Sequence, residues 1–240
     1  MTSSFPPLTC QKSEFSLPDG HCYLNSAFMG PLPHRVEQAG LQALRERVAP
    51  MAMGPADFFE PAERTRKLCA QLVNADPERV AFVPTVAYAA AIAAKNTRVR
   101  AGQNVVLLGD LFSSNVYAWR NWRASGVEMR TINAPAADVL TPAYSRTSCW
   151  NDSLVDAIDE QTVLVAVEQA HWTDGSLFDL ERIGARCREV GAALVIDATR
   201  LSARCPLMCN ECGRMSWSST ATRRCSPTTG LGSPCSASDF

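Results

Sequence analysis

Asp197 is the residue whose type and position most clearly suggest chemistry. It follows three consecutive apolar residues, Leu194, Val195 and Ile196. Such a run, without polar alternation, is typical of a strand buried on both faces of a parallel sheet. Ligands of open α/β sheets bind outside the carboxyl ends of the strands, so Asp197 is predicted to place a carboxylate at a ligand site. The alternative is that Asp197 only caps a following helix.

A second candidate is the helix start formed by Thr85, Val86 and Ala87. A short predicted strand stops at Pro84, and a helix of small residues follows, with Thr85 in position to cap it. The N–H groups of Val86 and Ala87 are then expected to face outwards at the positive end of the helix dipole, where proteins bind phosphate. A plain capped helix without a ligand is the alternative.

Two ring side chains also follow apolar runs. Phe112 comes after the run that ends at Leu108, where a ring can stack on a planar ligand, although packing in the core explains it equally well. His171, one of three histidines, follows the run that ends at Val167, and a lone histidine is more often structural. A carboxylate, a stacking ring and a phosphate-binding helix start together suit a phosphorylated pyridine. The carboxylate would keep the ring nitrogen protonated, which makes the ring an electron sink.

The sequence predicts a scaffold that brings these strand ends together. Apolar runs alternate with stretches of helical periodicity from about residue 80 to residue 196. Strands are predicted at 80–83, 104–108, 128–132, 162–167 and 192–196, with a loop at 134–148. Two helices are expected before them, at 34–48 and 61–73, with Pro61 in the first turn of the second. The pattern predicts an α/β fold, namely a three-layer αβα domain with a mainly parallel sheet and an N-terminal helical segment.

Composition narrows the class of protein. The chain has 240 residues and a net charge of -1, which argues against nucleic acid as the main partner. No apolar run approaches the length of a membrane span, and the first residues lack the pattern of a secretory signal. The expected location is the cytoplasm.

Five motifs in combination resemble the class V aminotransferase family, whose members are fold type I enzymes that use pyridoxal 5'-phosphate (PLP). The resemblance covers about residues 21–200. Its motifs are Tyr-Leu-Asn-Ser-Ala from Tyr23, Pro-Thr-Val-Ala-Tyr from Pro84, Ser-Asn-Val-Tyr-Ala-Trp from Ser114, His-Trp-Thr-Asp-Gly from His171 and Val-Ile-Asp-Ala-Thr from Val195. The family includes cysteine desulfurases, kynureninases and isopenicillin-N-epimerase-like enzymes, and the His-Trp-Thr-Asp-Gly turn is most similar to the last group.

The resemblance implies a cofactor-binding role for each candidate residue. It places Val86 and Ala87 at the PLP phosphate, Asp197 at the pyridine nitrogen and Thr199 under the ring. Phe112 takes the position of the ring-stacking aromatic, which is often histidine in the desulfurases. The full cofactor-binding set implied is Thr85, Val86, Ala87, Phe112, His171, Asp197 and Thr199. No metal site is implied, and Arg200 stands where the family usually has Gln.

The implied function is a transformation at the α-carbon of a small-molecule amino acid substrate, by transamination, epimerisation or elimination. The family also suggests a homodimer. It requires a later lysine that binds the cofactor covalently, whereas the lysines of this chain are Lys12, Lys67 and Lys95. We therefore expect that no lysine of this chain binds the cofactor covalently, and that the chain is inactive.

Residues 201–240 differ in composition from the rest of the chain. They contain no Val, Ile, Lys or Tyr but eight serines and five cysteines, so we predict an irregular tail that does not continue the sheet. A disordered tail is one interpretation. A zinc module is another, with Cys205, Cys209, Cys212 and Cys225 as ligands. The third is a shifted reading frame, because the tail's codons read in another frame are compatible with the family's continuation.

The predicted organisation follows from these boundaries. Residues 1–20 form an N-terminal tail, residues 21–200 a partial PLP-transferase large domain, and residues 201–240 a non-homologous tail that begins where the family pattern is truncated.

Overall fold

The computed structural model describes residues 9–25, 29–136, 143–200, 215–219 and 230–233. Two helices, α1 (His34–Glu46) and α2 (Pro55–Leu72), precede the sheet and confirm the predicted N-terminal helical segment. The predicted start of the second helix is wrong, because Pro55 rather than Pro61 occupies its first turn. The helix begins there because the Asp57 carboxylate accepts a hydrogen bond from the backbone N–H of Gly54 at 2.8 Å.

Strands and helices alternate from residue 81 onwards. The strands are β1 (Ala81–Val83), β2 (Asn104–Leu108), β3 (Glu128–Ile132), β4 (Thr162–Glu168), β5 (Ala193–Asp197), β6 (Met215–Ser219) and β7 (Gly230–Ser233). The helices are α3 (Val86–Asn96), α4 (Tyr117–Arg120), α5 (Ala143–Asp156) and α6 (Leu180–Val190). The five predicted strands are confirmed. The predicted loop at 134–148 is wrong from residue 143, where α5 begins.

The described strands form one mainly parallel sheet in the order β1-β7-β6-β5-β4-β2-β3. Strands β3, β2, β4, β5 and β6 lie side by side in this order and are all parallel. Strand β7 runs antiparallel to both β6 and β1. Strand β1 therefore points in the same direction as β5. The carboxyl ends of β1, β2, β4 and β5 consequently lie at one edge of the sheet, as the sequence predicted.

Helices cover both faces of the sheet. Successive residues of a strand point to opposite faces, and Leu194, Val195 and Ile196 of β5 are 0%, 6% and 0% exposed. Helix α3 packs against α4 and against β5, whereas α6 packs against α5 and β5. This arrangement confirms the predicted three-layer α/β architecture. Within the described residues, no helix combines the length and the apolar character needed to cross a membrane.

Two segments of the tail join the sheet, so the expectation that residues after 200 add no strand is wrong. Met215–Ser219 pairs in parallel with β5, and Gly230–Ser233 pairs with β6 and β1. The physical reason is that β5 and β1 would otherwise leave rows of backbone N–H and C=O groups without a partner. The sequence carried a signal, since Met-Ser-Trp-Ser-Ser alternates apolar and polar residues.

The rest of residues 201–240 lies outside the described residues, including Cys205, Cys209, Cys212 and Cys225. The zinc module, the shifted reading frame and the domain boundaries at 20 and 200 therefore stay predictions.

Candidate functional site

The Asp197 carboxylate is buried and held by two loops at the carboxyl edge of the sheet. It is 8% exposed. Its Oδ2 accepts a hydrogen bond from Asn115 Nδ2 at 2.7 Å. Its Oδ1 accepts from the Thr199 backbone N–H at 2.9 Å and from the Thr199 hydroxyl at 2.5 Å. Three donors therefore fix the orientation of the carboxylate. The helix-cap alternative depends on residues 201–214, which lie outside the described residues.

Asn115 belongs to the turn that follows β2, and it is itself buried. Its backbone carbonyl accepts a hydrogen bond from Trp119 Nε1 at 2.6 Å. Because both its backbone and its side chain are engaged, the amide that faces Asp197 is pre-oriented. Sequence reasoning did not single out Asn115.

Glu168 is a second buried carboxylate at the same edge, and sequence reasoning also missed it. It ends β4, directly beside Asp197 in the parallel register of β4 and β5, and is 3% exposed. Its Oε1 accepts a hydrogen bond from the Phe112 backbone N–H at 3.0 Å, and its Oε2 accepts from the Trp172 backbone N–H at 2.8 Å. Burial raises the pKa of Glu168 to about 7, against the two backbone hydrogen bonds and with the help of the nearby Asp197 charge.

Phe112 lies in the turn after β2, half-buried at the edge and outside the main core. Its ring meets the Trp172 ring edge to face, with centroids 5.7 Å apart and an interplanar angle of 85°. Trp172 remains 42% exposed. The two rings thus form an aromatic pair that reaches the surface at the strand ends. This placement favours the ring-stacking interpretation of Phe112 over the core interpretation, and the stacking role stays a prediction.

His171 is 2% exposed, and both ring nitrogens have partners inside the protein. Nε2 lies 3.1 Å from the Gly109 carbonyl oxygen, and Nδ1 lies 2.8 Å from the Thr173 hydroxyl. A carbonyl only accepts hydrogen bonds, so Nε2 carries a hydrogen. The ring also packs edge to face on Trp150 at 4.9 Å. These contacts favour a structural role, in which His171 joins the turn after β4 to the turn after β2, over the cofactor contact that the resemblance implies.

The start of α3 has the form that the sequence predicts. The Thr85 hydroxyl accepts a hydrogen bond from the Tyr88 backbone N–H at 3.1 Å, so Thr85 is the N-cap. The Thr85 carbonyl accepts hydrogen bonds from the backbone N–H groups of Tyr88 and Ala89. The N–H groups of Val86 and Ala87 come earlier in the first turn of the helix. Ala87 is exposed and Val86 is half-buried.

The structure therefore brings three predicted site residues to one place. Asn115 and Thr199 bind the Asp197 carboxylate, and Glu168, which lies beside Asp197, binds the backbone of Phe112. The start of α3 lies at the same edge of the sheet, and β7 and β6 separate β1 from β5. Helix α3 crosses towards the centre of the sheet and contacts the turn at Ser113–Asn115. Phosphate binding by Val86 and Ala87 stays a prediction.

The missed residues carried only weak sequence signals. Glu168 ends an apolar run just as Asp197 does, and this position after Val167 was the signal that could have identified it. Asn115 follows two serines in a turn, where a buried amide has no local pattern. Both residues gain their importance from contacts with chain segments far away in the sequence.

Two solved structures illustrate the fold that this chain shares with other proteins. The cysteine desulfurase CsdA from Escherichia coli matches with a TM-score of 0.73 and 16% identity, over 93% of this chain and 56% of that one. A mutant of C-DES with glycine covalently linked to the PLP cofactor matches with a TM-score of 0.76 and 15% identity, over 95% of this chain and 60% of that one. At this level of identity the likeness shows the fold.

Two curated relatives match in sequence. A "Probable cysteine desulfurase" of Methanothermobacter thermautotrophicus is 29% identical over 184 residues, which are 75% of this chain and 44% of that protein. An "Uncharacterized aminotransferase YcbU" of Bacillus subtilis is 25% identical over 157 residues, which are 65% of this chain and 39% of that protein. The chain thus spans less than half the length of either relative.

The family comparison covers most of the chain. The sequence model of the family described as aminotransferase class-V matches residues 23–223. The match includes the strands β1 to β5, the carboxylates that end β4 and β5, and the turns that hold them. This match extends over far more than half of the chain. The chain therefore belongs to the class V aminotransferase family.

Proposed function

We propose that this chain binds PLP at the carboxyl edge of its sheet and forms part of a PLP-dependent enzyme. The observation that carries the proposal is Asp197, a buried carboxylate at the end of a central strand, oriented by Asn115 and Thr199. Family membership and a structural neighbour that carries PLP support the same cofactor.

The groups present at the edge fit the chemistry of PLP. A carboxylate suits the pyridine nitrogen, the half-buried Phe112 ring suits an aromatic plane, and the N–H groups at the start of α3 suit a phosphate. Asp197 would hold the ring nitrogen, Phe112 and Thr199 would orient the ring, and Val86 and Ala87 would hold the phosphate. When bound, PLP supplies an electron sink for negative charge at the α-carbon of an amino acid.

The substrate class proposed is a small amino acid. The relative named as a probable cysteine desulfurase, and the neighbour C-DES, which is a cystine C-S lyase, favour a sulfur-containing amino acid and an elimination at its side chain, over transamination and epimerisation. The similarity to the isopenicillin-N-epimerase-like branch stays a prediction, as do the homodimer and the cytoplasmic location.

The alternative function, metal binding by a cysteine-rich tail, draws no support from the described residues. Among them, no group of three or more His, Cys, Asp or Glu side chains is placed to hold a metal ion. The four tail cysteines are not described, so the zinc content of the purified protein is the measurement that would favour this alternative.

Replacing Asp197 tests the proposed cofactor site. We expect Asp197→Asn to weaken binding of added PLP at least about tenfold, because an uncharged amide cannot stabilise a protonated pyridine nitrogen and a charged hydrogen bond contributes more than a neutral one. PLP absorption and the quenching of tryptophan fluorescence during titration give the two affinities. Asp156→Asn, a change at an exposed position on α5, is the matched control and should bind PLP as the unaltered chain does. Equal affinity of the Asp197→Asn and unaltered chains would contradict the proposal.

A further inference from the structure

Glu168 joins two turns that carry the aromatic pair. One carboxylate oxygen accepts a hydrogen bond from the backbone N–H of Phe112, in the turn after β2. The other accepts one from the backbone N–H of Trp172, in the turn after β4. The two acceptor atoms belong to one rigid planar group at the end of a buried strand. The carboxylate therefore spans the two backbone segments whose rings lie 5.7 Å apart.

The turn that carries Phe112 needs such a constraint. Asp110 has a φ of 51°, in the left-handed region that favours glycine. Gly109 passes so close to Asn133 that an added Cβ would lie 2.4 Å from its side-chain oxygen. Backbone in such conformations persists only when the surrounding contacts fix it, and it is concentrated at functional sites.

Two further contacts tie the same turns together. Trp172 Nε1 donates a hydrogen bond to the Asp110 carbonyl oxygen at 2.5 Å. His171 Nε2 donates to the Gly109 carbonyl oxygen at 3.1 Å. Residues 109–112 and 168–172 thus form a paired-turn unit, in which Glu168 is the carboxylate that reaches both backbones.

We propose that Glu168 is a positioning residue for the cofactor site: by holding the paired-turn unit together, it sets the place of the Phe112 ring relative to Asp197. The inference rests on the proposed function for its cofactor part. Glu168 lies beside Asp197 in the register of the sheet, so the same side chain that orients the ring-stacking residue also adjoins the proposed partner of the ring nitrogen.

The strength of the two Glu168 hydrogen bonds should depend on pH, because it depends on the charge of the carboxyl group. The charged groups near it are Asp197, which raises the pKa of Glu168, and Arg200, which lowers it. The turns packed against it also carry Asp110, His171 and Asp174. With its pKa at about 7, Glu168 gains negative charge as the pH rises from 6 to 8. Its bonds to the two N–H groups then become charge-assisted and stronger.

The experiment compares the full chain with Glu168→Ala and Glu168→Gln. Glu160→Gln is the matched control, because Glu160 is exposed in a turn of the same chain segment. The first measurement, made without cofactor, is hydrogen exchange at the Phe112 and Trp172 amides. The second is the affinity for added PLP at pH 6, 7 and 8.

We expect Glu168→Ala, which removes both hydrogen bonds, to speed exchange in both turns together and to weaken PLP binding by about tenfold, an effect of the size of one charged hydrogen bond. Glu168→Gln keeps one acceptor oxygen but presents an NH₂ group to the other N–H, so it should release one turn and have a smaller effect. The ratio of the unaltered to the Glu168→Gln affinity should change between pH 6 and pH 8, since the carboxyl group of Glu168 titrates there, the glutamine amide does not, and all other groups are the same in both chains.

Other experimental results would each contradict one part of the proposal. Unchanged exchange in Glu168→Ala overturns the joining of the two turns. Faster exchange with unchanged PLP affinity overturns the positioning role and leaves Glu168 a structural residue. If the unaltered chain and all its variants bind no PLP, the proposed function fails together with the cofactor part, whereas the exchange result still decides whether Glu168 joins the turns.

Discussion

At the scale of single residues, the candidate site depends on side chains that orient other side chains. Asp197 would face a ligand, but Asn115 and Thr199 decide where its carboxylate points. Glu168 does the same for the turn that carries Phe112. The site is therefore expected to be sensitive to changes at buried polar residues that never touch a ligand.

Replacing Asn115 tests this dependence. We expect Asn115→Ala to lower the free energy of unfolding by about 1–3 kcal/mol, because a buried carboxylate oxygen loses its donor. It should also weaken PLP binding, since Asp197 is then held through Oδ1 alone, by Thr199. Urea denaturation and PLP titration measure the two effects. Asn121→Ala, at an exposed asparagine close by in the chain, should change neither. A stable Asn115→Ala chain with unchanged PLP affinity would show that Thr199 alone orients the carboxylate.

At the scale of elements, the amino ends of the strands are held by a separate polar cluster. Arg130 of β3 donates to Asp159 Oδ2 at 2.5 Å, and Asn104 of β2 donates to Asp159 Oδ1 at 2.8 Å. The hydrogen bond from Arg130 is the main reason that the pKa of Asp159 lies well below its usual range, against the opposing effect of burial. Asp159, in the loop before β4, thereby links three neighbouring strands.

The stability contributed by Asp159 should depend on pH. A carboxyl group whose pKa is lower in the folded chain stabilises the fold above its unfolded pKa of about 3.9, and this contribution is lost as the pH falls towards the folded value. Asp159→Asn should lower the free energy of unfolding by about 1 kcal/mol near neutral pH, since the pair is partly exposed to solvent. The difference should be smaller at about pH 3.

Urea denaturation at the two pH values gives this difference, with Glu160→Gln as the control. A difference that is equal at both pH values would mean that Asp159 acts through its shape and not through its charge.

At the scale of the whole molecule, the lysines decide whether a cofactor can be bound covalently, and all three are exposed. Lys95 is exposed near the carboxyl end of α3, about 13 Å along the helix from the N–H groups of Val86. Lys12 and Lys67 are exposed in the N-terminal segments. These three are all the lysines of the chain.

We therefore expect the 240-residue chain to hold PLP without a covalent bond and to show no turnover of an amino acid. After borohydride treatment of the chain with PLP, mass spectrometry should show no stoichiometric attachment to a single lysine. Stoichiometric attachment at one of the three lysines, together with turnover, would contradict the expectation. Exposed lysines also form reversible imines with free PLP, so an unfolded sample treated in the same way serves as the control for non-specific attachment.

The sequence by itself determined the five strands from Val80 to Ile196 and the position of Asp197 at a strand end, whereas the helix before β4 begins at Ala143, inside the predicted loop. These features depend on neighbouring residues, because a buried strand needs an apolar run and the end of the run marks where polar residues begin. The five motifs that begin at Tyr23, Pro84, Ser114, His171 and Val195 indicated the family in combination, and the match over residues 23–223 then showed it.

Only the tertiary structure decided how the strand ends work together. Asn115 and Asp197 are 82 positions apart in the chain, and Glu168 and Phe112 are 56 apart. No local pattern can encode contacts across such separations, so the sequence could not show which residues Glu168 and Asn115 hold, and His171 was assigned to the cofactor when its bonds favour a structural role. The alternation at Met215–Ser219 indicates a strand, but its pairing with β5 depends on the open edge of a strand formed earlier in the chain.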